Sequence, residues 1–337
     1  MAPQHQPYVP RLLLKGFLSR DPAKASKEQV HVFDLETGNS FTPPIDKIMG
    51  ETRFNDFWLD DETLATIEPA ASRIESRLAP LVENIRATKR LERSREERED
   101  LALLMAFQFI RTKKIRLLPE SLDRQIRVQV EEMGFDPGRI KGLPLLSEEI
   151  LKREHVRHQV QNLDTYAKII AEKELFLMMA PDGCTFYIGD NPVVMHTDEE
   201  RKGSRGHLGL GAPYIQIYLP LSADVMLCAY DKAVLGQLMR SNDAEARQIQ
   251  MEALGMLTRG EITPSQMKRT LNDMAALDVT TPLIKTIRAG EAVAVAAEQV
   301  QCYNSLQAFH AHRFVIDPDG KFEVAAEMVA ERKAAAD

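Results

Sequence analysis

The chain alternates between long stretches with helical apolar spacing and short stretches with strand spacing. The first helical stretch begins at Thr63 and has an apolar residue every three or four positions: Ile67, Ala71, Ile74, Leu78, Leu81 and Ile85. This stripe predicts a long amphipathic helix. The capping-box pair Ser94 and Glu97 predicts a second helix, which should run to about Leu118, where Pro119 would end it.

Helices are also expected further along the chain. Ser147 is a good N-cap, and the helix that it opens should extend to about Met179. Thr263 and Gln266 form another capping box, with a proline at the first helical position. Amphipathic spacing predicts two more helices, at 243–257 and 292–311.

The strand patterns are shorter and are separated by turn residues. Residues 30–35 and 41–42 flank a turn and predict a hairpin. Residues 214–221 and 225–230 predict two neighbouring strands, and with 184–188 they would form a sheet of at least three strands. A final hairpin is expected within 313–324.

These patterns together predict an α+β fold that is predominantly helical and has a small, mostly antiparallel sheet. The chain has 337 residues, a length that allows two domains or one large one. We favour a single large domain, with a helical part at 63–180 and a mixed sheet and helix part at 184–325. Residues 326–337 would then form a charged tail.

The net charge and its distribution limit the classes of ligand that the protein is expected to bind. Lys and Arg total 43 against 50 Asp and Glu, which gives a net charge of −7, so the protein as a whole is not attracted to nucleic acid. One run, 111–127, is locally basic because six cations are offset by only Glu120 and Asp123. The six cations are Arg111, Lys113, Lys114, Arg116, Arg124 and Arg127. This run is either a solvated surface or a contact for nucleic acid or another phosphate ligand.

The cysteines and the N-terminal residues indicate in which cellular compartment the protein is expected. The three cysteines, Cys184, Cys228 and Cys302, are far apart and form no CxxC pair, which favours a reducing compartment. Residues 1–10 are polar and proline-rich where a secretory signal needs an apolar run. The longest apolar stretch, 101–110, has about half of the ~20 residues needed to cross a bilayer. We expect a soluble cytoplasmic protein without a membrane partner.

Two polar groups stand out because they occur within apolar elements. Asp190 and Asn191 follow the strand formers at 186–188, and Pro192 holds Asn191 in an extended conformation. Their side chains either cap backbone groups or form part of a functional site. On the second helix, Gln108 and Arg111 interrupt an apolar row.

Either that helix is rotated so that these two lie at the rim, or Arg111 is buried. A buried guanidinium left without a partner would cost about 3–5 kcal/mol. If Arg111 is buried, a carboxylate such as Glu75 or Asp190 should therefore pair with it.

Several separated motifs occur in a fixed order along the chain: Tyr8 to Phe17, Glu75, Gln108, Arg111, Thr112, residues 190–193, residues 220–222 and, more loosely, Asn304. In this order they resemble one family, the bacterial proteins grouped as domain of unknown function 4238. The resemblance covers roughly residues 4–312 and implies no established activity. One position departs from the family pattern: the family places histidine directly before Tyr-Val-Pro, where this chain has Pro7, with His5 two residues earlier.

The leading functional hypothesis is a hydrolase that acts on a phosphate-bearing substrate or nucleic acid. In it, Asp190, Glu75 and His5 would be catalytic, and the substrate would be bound by Arg111, Gln108, Asn191, Arg11 and Tyr8. The carboxylates would bind a divalent metal or activate water, and an arginine would stabilise developing negative charge. The sequence does not identify a cofactor beyond this divalent metal.

Two alternatives compete with it. The protein could be a non-catalytic binding module, or the polar residues could form a buried structural ion pair. His155 and His158 have a spacing that suits a metal pair, but the pattern lacks the further ligands that zinc needs. The chain contains no Walker loop, HExxH motif, nucleophile elbow or dinucleotide fingerprint.

Overall fold

The computed structural model describes residues 5–59, 62–136, 146–198 and 209–334, with the side chains of 274–277 left out. Its helices are α1 Arg11–Leu14, α2 Pro22–Ala25, α3 Glu68–Thr88, α4 Arg95–Ile110, α5 Lys113–Glu132, α6 Glu148–Ala171, α7 Lys232–Thr258, α8 Pro264–Leu277, α9 Thr280–Arg288, α10 Ala297–His310 and α11 Glu323–Ala334. Its strands are β1 His5–Pro7, β2 His31–Asp34, β3 Ser40–Phe41, β4 Gly50–Thr52, β5 Asp56–Trp58, β6 Leu64–Thr66, β7 Glu174–Met179, β8 Ile188–Gly189, β9 Val194–His196, β10 Gln216–Pro220, β11 Val225–Tyr230, β12 Val293–Ala294 and β13 Phe314–Asp317. The fold is α+β and predominantly helical, with small, mostly antiparallel sheets, which confirms the predicted class.

The larger sheet has five strands in the order β12-β7-β11-β10-β9, and all its pairings are antiparallel except that of β12 with β7. The predicted strands at 214–221 and 225–230 are confirmed as β10 and β11. The prediction of helix up to Met179 is wrong, because α6 ends at Ala171 and β7 follows. In β7, Leu175 and Leu177 enter one apolar cluster while Phe176 and Met178 enter another. This alternation is the strand period, and it arises because the sheet has a core on both faces.

The second sheet has the order β3-β2-β13-β8. The hairpin of β2 and β3 is confirmed. The expected sheet partner of 184–188 is wrong, because β8 pairs with β13 and not with β10 or β11. The final hairpin is also wrong: after β13 the chain enters α11, and Phe322 stacks on Phe33 with ring centroids 5.5 Å apart.

Residues 326–334, expected as part of a tail, therefore lie in α11, where Val329 is buried. Residues 335–337 lie outside the described part of the chain. The helix predicted from Thr63 begins later, at Glu68, because Leu64–Thr66 pairs with β5. The division of the chain at 180–184 remains a prediction, although β7 lies inside the part that we expected to be helical.

The break between α4 and α5 is the feature that positions the polar residues. A continuous helix to Leu118 was predicted, but α4 ends at Ile110 and Thr112 is the N-cap of α5. The Thr112 hydroxyl accepts a hydrogen bond from the Ile115 N–H, which satisfies one of the free donors at the new helix start. Pro119 consequently lies inside α5 and ends no helix.

In the described ranges, no helix has the length and apolar content required to span a membrane.

Candidate functional site

Arg111 lies at the α4–α5 break and is among the largest fully buried side chains, with 1% of its surface exposed. Its Nη1 donates to Glu75 Oε1 of α3 at 2.5 Å, and its Nη2 donates to the Pro7 carbonyl at 2.8 Å. Its guanidinium carbon lies 4.5 Å from the centre of the Phe107 ring. The inward orientation of Arg111 and its pairing with Glu75 are therefore confirmed, while Asp190 bonds elsewhere.

Gln108, one turn before Arg111, is also fully buried, and it binds Tyr8, the residue after Pro7. Its Nε2 donates to the Tyr8 carbonyl at 3.1 Å. Two buried side-chain atoms, Gln108 Oε1 and His5 Nε2, have no hydrogen-bond partner among the described residues. The His5 ring packs against Gly50, where an added Cβ would lie 2.6 Å from His5 Nε2. The end of α4 thus clamps the Pro7–Tyr8 backbone, and His5 lies in β1 against β4.

Asp190 is 1% exposed and accepts three consecutive backbone N–H groups. The donors are His312 at 2.6 Å, Arg313 at 2.9 Å and Phe314 at 3.1 Å. Burial raises the pKa of the Asp190 carboxyl, and the three N–H donors act in the opposite direction by stabilising its charged form. The carboxylate therefore fastens the chain between α10 and β13.

Asn191 joins this segment to the helix break. Its Oδ1 accepts from the Thr112 hydroxyl at 2.8 Å, and its Nδ2 donates to the His310 carbonyl at 3.1 Å. The interpretation of Asp190 and Asn191 as residues that cap backbone groups is confirmed by these hydrogen bonds.

We call the surface above these buried residues the α5 junction. It consists of Tyr8, Glu51, Lys113, Lys114, His310, His312 and Arg313. The Tyr8 residue is 4% exposed, and no hydrogen bond joins its hydroxyl to another described residue. The hydroxyl oxygen is not among the buried atoms without a partner, so solvent reaches it. Burial raises the pKa of Tyr8, and the charges of Asp190 and Glu51 add to this effect while Arg313 opposes it. The Tyr8 hydroxyl therefore stays neutral, and it lies within the electrostatic field of two carboxylates, Asp190 and Glu51, and of one cation, Arg313.

The cations of the α5 junction are held at defined positions. Lys113 forms an ion pair with Glu51, and Lys114 Nζ donates to the His310 carbonyl at 2.9 Å. Arg313 pairs with Asp34 at 2.8 Å. Burial lowers the pKa of Lys114 and of His312, whereas the Asp190 charge raises both. Lys114 thus forms no ion pair within the described ranges, although its ammonium is partly desolvated.

The remaining predicted residues lie elsewhere or bond differently. Arg11 is exposed and pairs with Glu28, so it does not reach the other candidates. His155 and His158 do not converge: the first contacts Arg116, and the second contacts Asn162 and Tyr166. Among the described residues, no group of three or more His, Cys, Asp or Glu side chains lies close enough to hold a metal ion.

A buried pair of Arg116 and His155 was missed in the sequence. Arg116 stacks on Phe54, with its guanidinium carbon 3.4 Å from the ring centre. Arg116 Nε donates to His155 Nδ1 at 3.2 Å, which leaves His155 Nε2 as the protonated nitrogen that donates to the Ile110 carbonyl at 2.8 Å. Burial and the Arg116 charge lower the pKa of His155 to about 3. Arg116 is buried through its contacts with Phe54 and His155, which are distant in the sequence. The residues next to Arg116 in the sequence therefore gave no signal of its burial.

The structure also contains a groove of about 1100 Å³ between the five-stranded sheet and helices α7 and α9. Its polar wall was missed: Gln216 and Tyr230 line the groove and are linked through the buried Tyr218 by hydrogen bonds at 2.5 and 2.8 Å. A signal was present, because the alternation of β10 places Gln216 and Tyr218 on the face opposite Ile217 and Leu219.

Comparison with known families agrees with the resemblance of the motifs. The family model described as "Protein of unknown function (DUF4238)" matches residues 4–321. No curated protein and no solved structure matches the chain.

The Arg111 pairing predicts a large effect on stability. Glu75→Ala should lower the free energy of unfolding by about 3–5 kcal/mol, because it leaves a buried guanidinium without its counter-charge. Glu75→Gln, which keeps an acceptor oxygen, should cost less. The exposed Ser76 on the same helix is the control, and Ser76→Ala should change stability by no more than about 0.5 kcal/mol. Urea unfolding measures all three, and equal effects of Glu75→Ala and Ser76→Ala would contradict the role given to the pair.

Asp190→Ala should destabilise the fold by about 3 kcal/mol or more, since three buried N–H groups lose their acceptor at about 1–3 kcal/mol each. Asp190→Asn should be milder, because one oxygen remains. Asp182→Ala, at an exposed turn position, is the control. Thermal unfolding tests this: an unchanged midpoint for Asp190→Ala would show that the carboxylate does not hold this part of the fold.

One buried histidine, His155, and one partly buried histidine, His310, predict a loss of stability at acid pH. The pKa of His155 is about 3, and burial together with Lys114 lowers the pKa of His310 to about 4. Below about pH 6.5 the unfolded chain binds protons at these rings that the folded chain does not bind. The free energy of unfolding should therefore fall as the pH drops from about 6.5 toward 4, by at most about 1.4 kcal/mol per pH unit for each ring.

Urea titrations across this range measure the slope, and His155→Gln isolates one ring. The slope of His155→Gln should be smaller than that of the wild type by about one proton. An identical slope in the two proteins would assign the acid sensitivity to other groups.

Proposed function

The chain belongs to the family of unknown function whose model it matches, and we propose that it is a binding protein for a phosphate-bearing ligand, with the α5 junction as the site. In this proposal the family motifs serve as the scaffold beneath the ligand. Arg111, Gln108, Asp190 and Asn191 fix the backbone, and the residues that contact the ligand lie above them.

The observation that carries the proposal is the Tyr8 hydroxyl. It belongs to a buried residue, its oxygen is reached by solvent and lies within the field of Arg313, and no described protein group forms a hydrogen bond with it. A phosphate oxygen would accept its proton, as it would the protons of Lys113 and Lys114.

The start of α5 adds to this attraction. The helix is 20 residues long, and its first turn contains no acidic side chain. Its first N–H groups have no partner within the helix, and the helix dipole gives this end partial positive charge. Thr112 satisfies the Ile115 N–H, so the N–H groups of Lys113 and Lys114 remain for an anion.

The two-carboxylate hydrolase is less well supported by this geometry. Glu75 is paired with Arg111, and Asp190 is saturated by three backbone donors. The two carboxylates bond to different partners and do not face a common point. Joint activation of a water or a metal requires a common point. A hydrolytic step would need different residues from those that the sequence indicated.

The basic run also favours a compact anion over a nucleic-acid strand. Arg111 and Arg116 are buried, and Arg124 and Arg127 pair with Glu120 and Asp123 on their own helix. The cations that remain are at one end of α5, so they form a single spot and not a track along a backbone.

The test is titration calorimetry with inorganic pyrophosphate and with a single-stranded oligonucleotide. Lys114→Gln should weaken pyrophosphate binding about tenfold or more, because a charged hydrogen bond is lost. Tyr8→Phe should weaken it about threefold to tenfold, the effect of one neutral donor. Arg124→Gln on the same helix is the matched control and should leave binding unchanged.

Two results would overturn the proposal. One is pyrophosphate binding that Lys114→Gln and Tyr8→Phe do not alter. The other is tighter, strongly salt-dependent oligonucleotide binding that Arg124→Gln and Lys114→Gln weaken equally, which would assign the whole α5 surface to nucleic acid.

A further inference from the structure

The groove between the five-stranded sheet and helices α7 and α9 lies apart from the α5 junction, and its chemistry differs. Its walls are formed by side chains of the sheet, by α7 and α9, by the β12 region and by Tyr303 of α10. Val234, Leu235, Leu238, Leu283 and Ile287 make one wall largely apolar. We propose that this groove binds a small organic cation, a primary amine on an apolar body.

The sign of the charge follows from the lining. No lysine, arginine or histidine lines the groove among the described residues, whereas Asp198 and Glu291 do. Glu291 is paired with Arg90 at 3.3 Å outside the lining, and Asp198 is 80% exposed at one end. Nearby groups hold the pKa of Asp198 below its ordinary value, first among them the His196 and Gln216 hydrogen bonds, so it is ionised at neutral pH. An anionic ligand would meet no cation here.

A directional hydrogen-bond chain leads from Asp198 into the groove. A carboxylate only accepts, so the Gln216 amide must present Nε2 to Asp198, which it does at 2.8 Å. Gln216 Oε1 then accepts from the Tyr218 hydroxyl at 2.5 Å. The single Tyr218 proton is thereby used, so Tyr230 must be the donor in the 2.8 Å bond between the two hydroxyls.

The Tyr230 hydroxyl, where this chain of hydrogen bonds reaches the groove, favours a ligand that donates a hydrogen bond. Tyr230 donates its own proton to Tyr218, and the Tyr303 hydroxyl is a further hydrogen-bonding neighbour of Tyr230, so the Tyr230 oxygen offers a ligand lone pairs only. Tyr230 lines the groove, and burial raises its pKa, so the hydroxyl stays neutral. At the Tyr230 oxygen, a ligand that donates an N–H is therefore recognised, and one that only accepts is not.

Aromatic rings supply the second preference for a cation. Phe176, Tyr214, Tyr230 and Tyr303 all line the groove. The Phe176 and Tyr230 rings meet edge to face at 4.8 Å. The Tyr303 ring lies 4.9 Å from that of Tyr218. Ring faces attract ammonium groups by about 0.5–2 kcal/mol, and most strongly when the site is desolvated. The apolar wall then accommodates the rest of the molecule.

Three ligands with one apolar body test the proposal on the full chain. Octylamine, octanol and octanoate differ only in the head group, and their binding is measured by calorimetry near neutral pH. Octylamine should bind about tenfold more tightly than octanol, the ratio expected when a neutral donor is replaced by a charged one. Octanoate should bind most weakly. Octanoate equal to or tighter than octylamine, or no binding of octylamine, would overturn the proposal.

Variants locate the effect. Tyr230→Phe removes the terminal oxygen and should reduce octylamine affinity about tenfold while changing octanoate little. Asp198→Asn, at an exposed position that does not threaten folding, should weaken octylamine about threefold to tenfold. Tyr166→Phe on α6 is the matched control, away from the lining, and should bind like the wild type. Octylamine binding that survives both Tyr230→Phe and Asp198→Asn unchanged would place the amine elsewhere and reject the proposal.

Because this groove shares no residue with the α5 junction, failure of the phosphate experiment leaves the amine experiment unaffected, and the reverse also holds.

Discussion

The burial of one guanidinium constrains much of this fold. Arg111 is 1% exposed, so each of its donors needs an acceptor, and the acceptors come from a helix side chain and from the Pro7 carbonyl. A guanidinium at that place can only be satisfied if α4 stops at Ile110, α3 lies alongside and the N-terminal segment passes beneath. The position of three separate parts of the chain thus follows from one buried charge.

A second buried acid-base group, the Asp190 carboxyl, does the same where β8 meets β13. Glu75 pairs with Arg111 as expected, but Asp190, the other carboxylate considered for that role, is satisfied by three consecutive N–H groups of residues 312–314. Backbone dipoles replace the counter-ion here. The link between the α4–α5 break and the Asp190 segment is neutral instead: Thr112 and Asn191 share a hydrogen bond at 2.8 Å, and both have a capping role.

What the sequence could predict was local, and what it could not was set by distant partners. Caps such as Ser94 and Thr263 act within one turn, so they marked helix starts correctly. The β2–β3 hairpin closes over a short turn and was equally readable. β7 was not, because its neighbours β11 and β12 lie about 50 and 115 residues away and only they make residues 174–179 a strand. For the site, motif order identified Arg111 and Glu75, whereas the pairing of Arg116 with His155 depends on a contact that no short motif contains.

One helix joins the two proposed sites, and this explains why its polar residues are so fully used. Tyr303 of α10 lines the groove, while the His310 carbonyl at its other end receives Lys114 and Asn191. Between them, Asn304 and Gln307 hold the backbone of residues 185–192 by four hydrogen bonds of 2.7–2.9 Å. Gly189 lets that backbone approach, since an added Cβ would lie 3.1 Å from the Gln307 carbonyl. The Asp190 segment is therefore held by the second half of α10, from Asn304 to His310, which directly follows the residue that lines the groove.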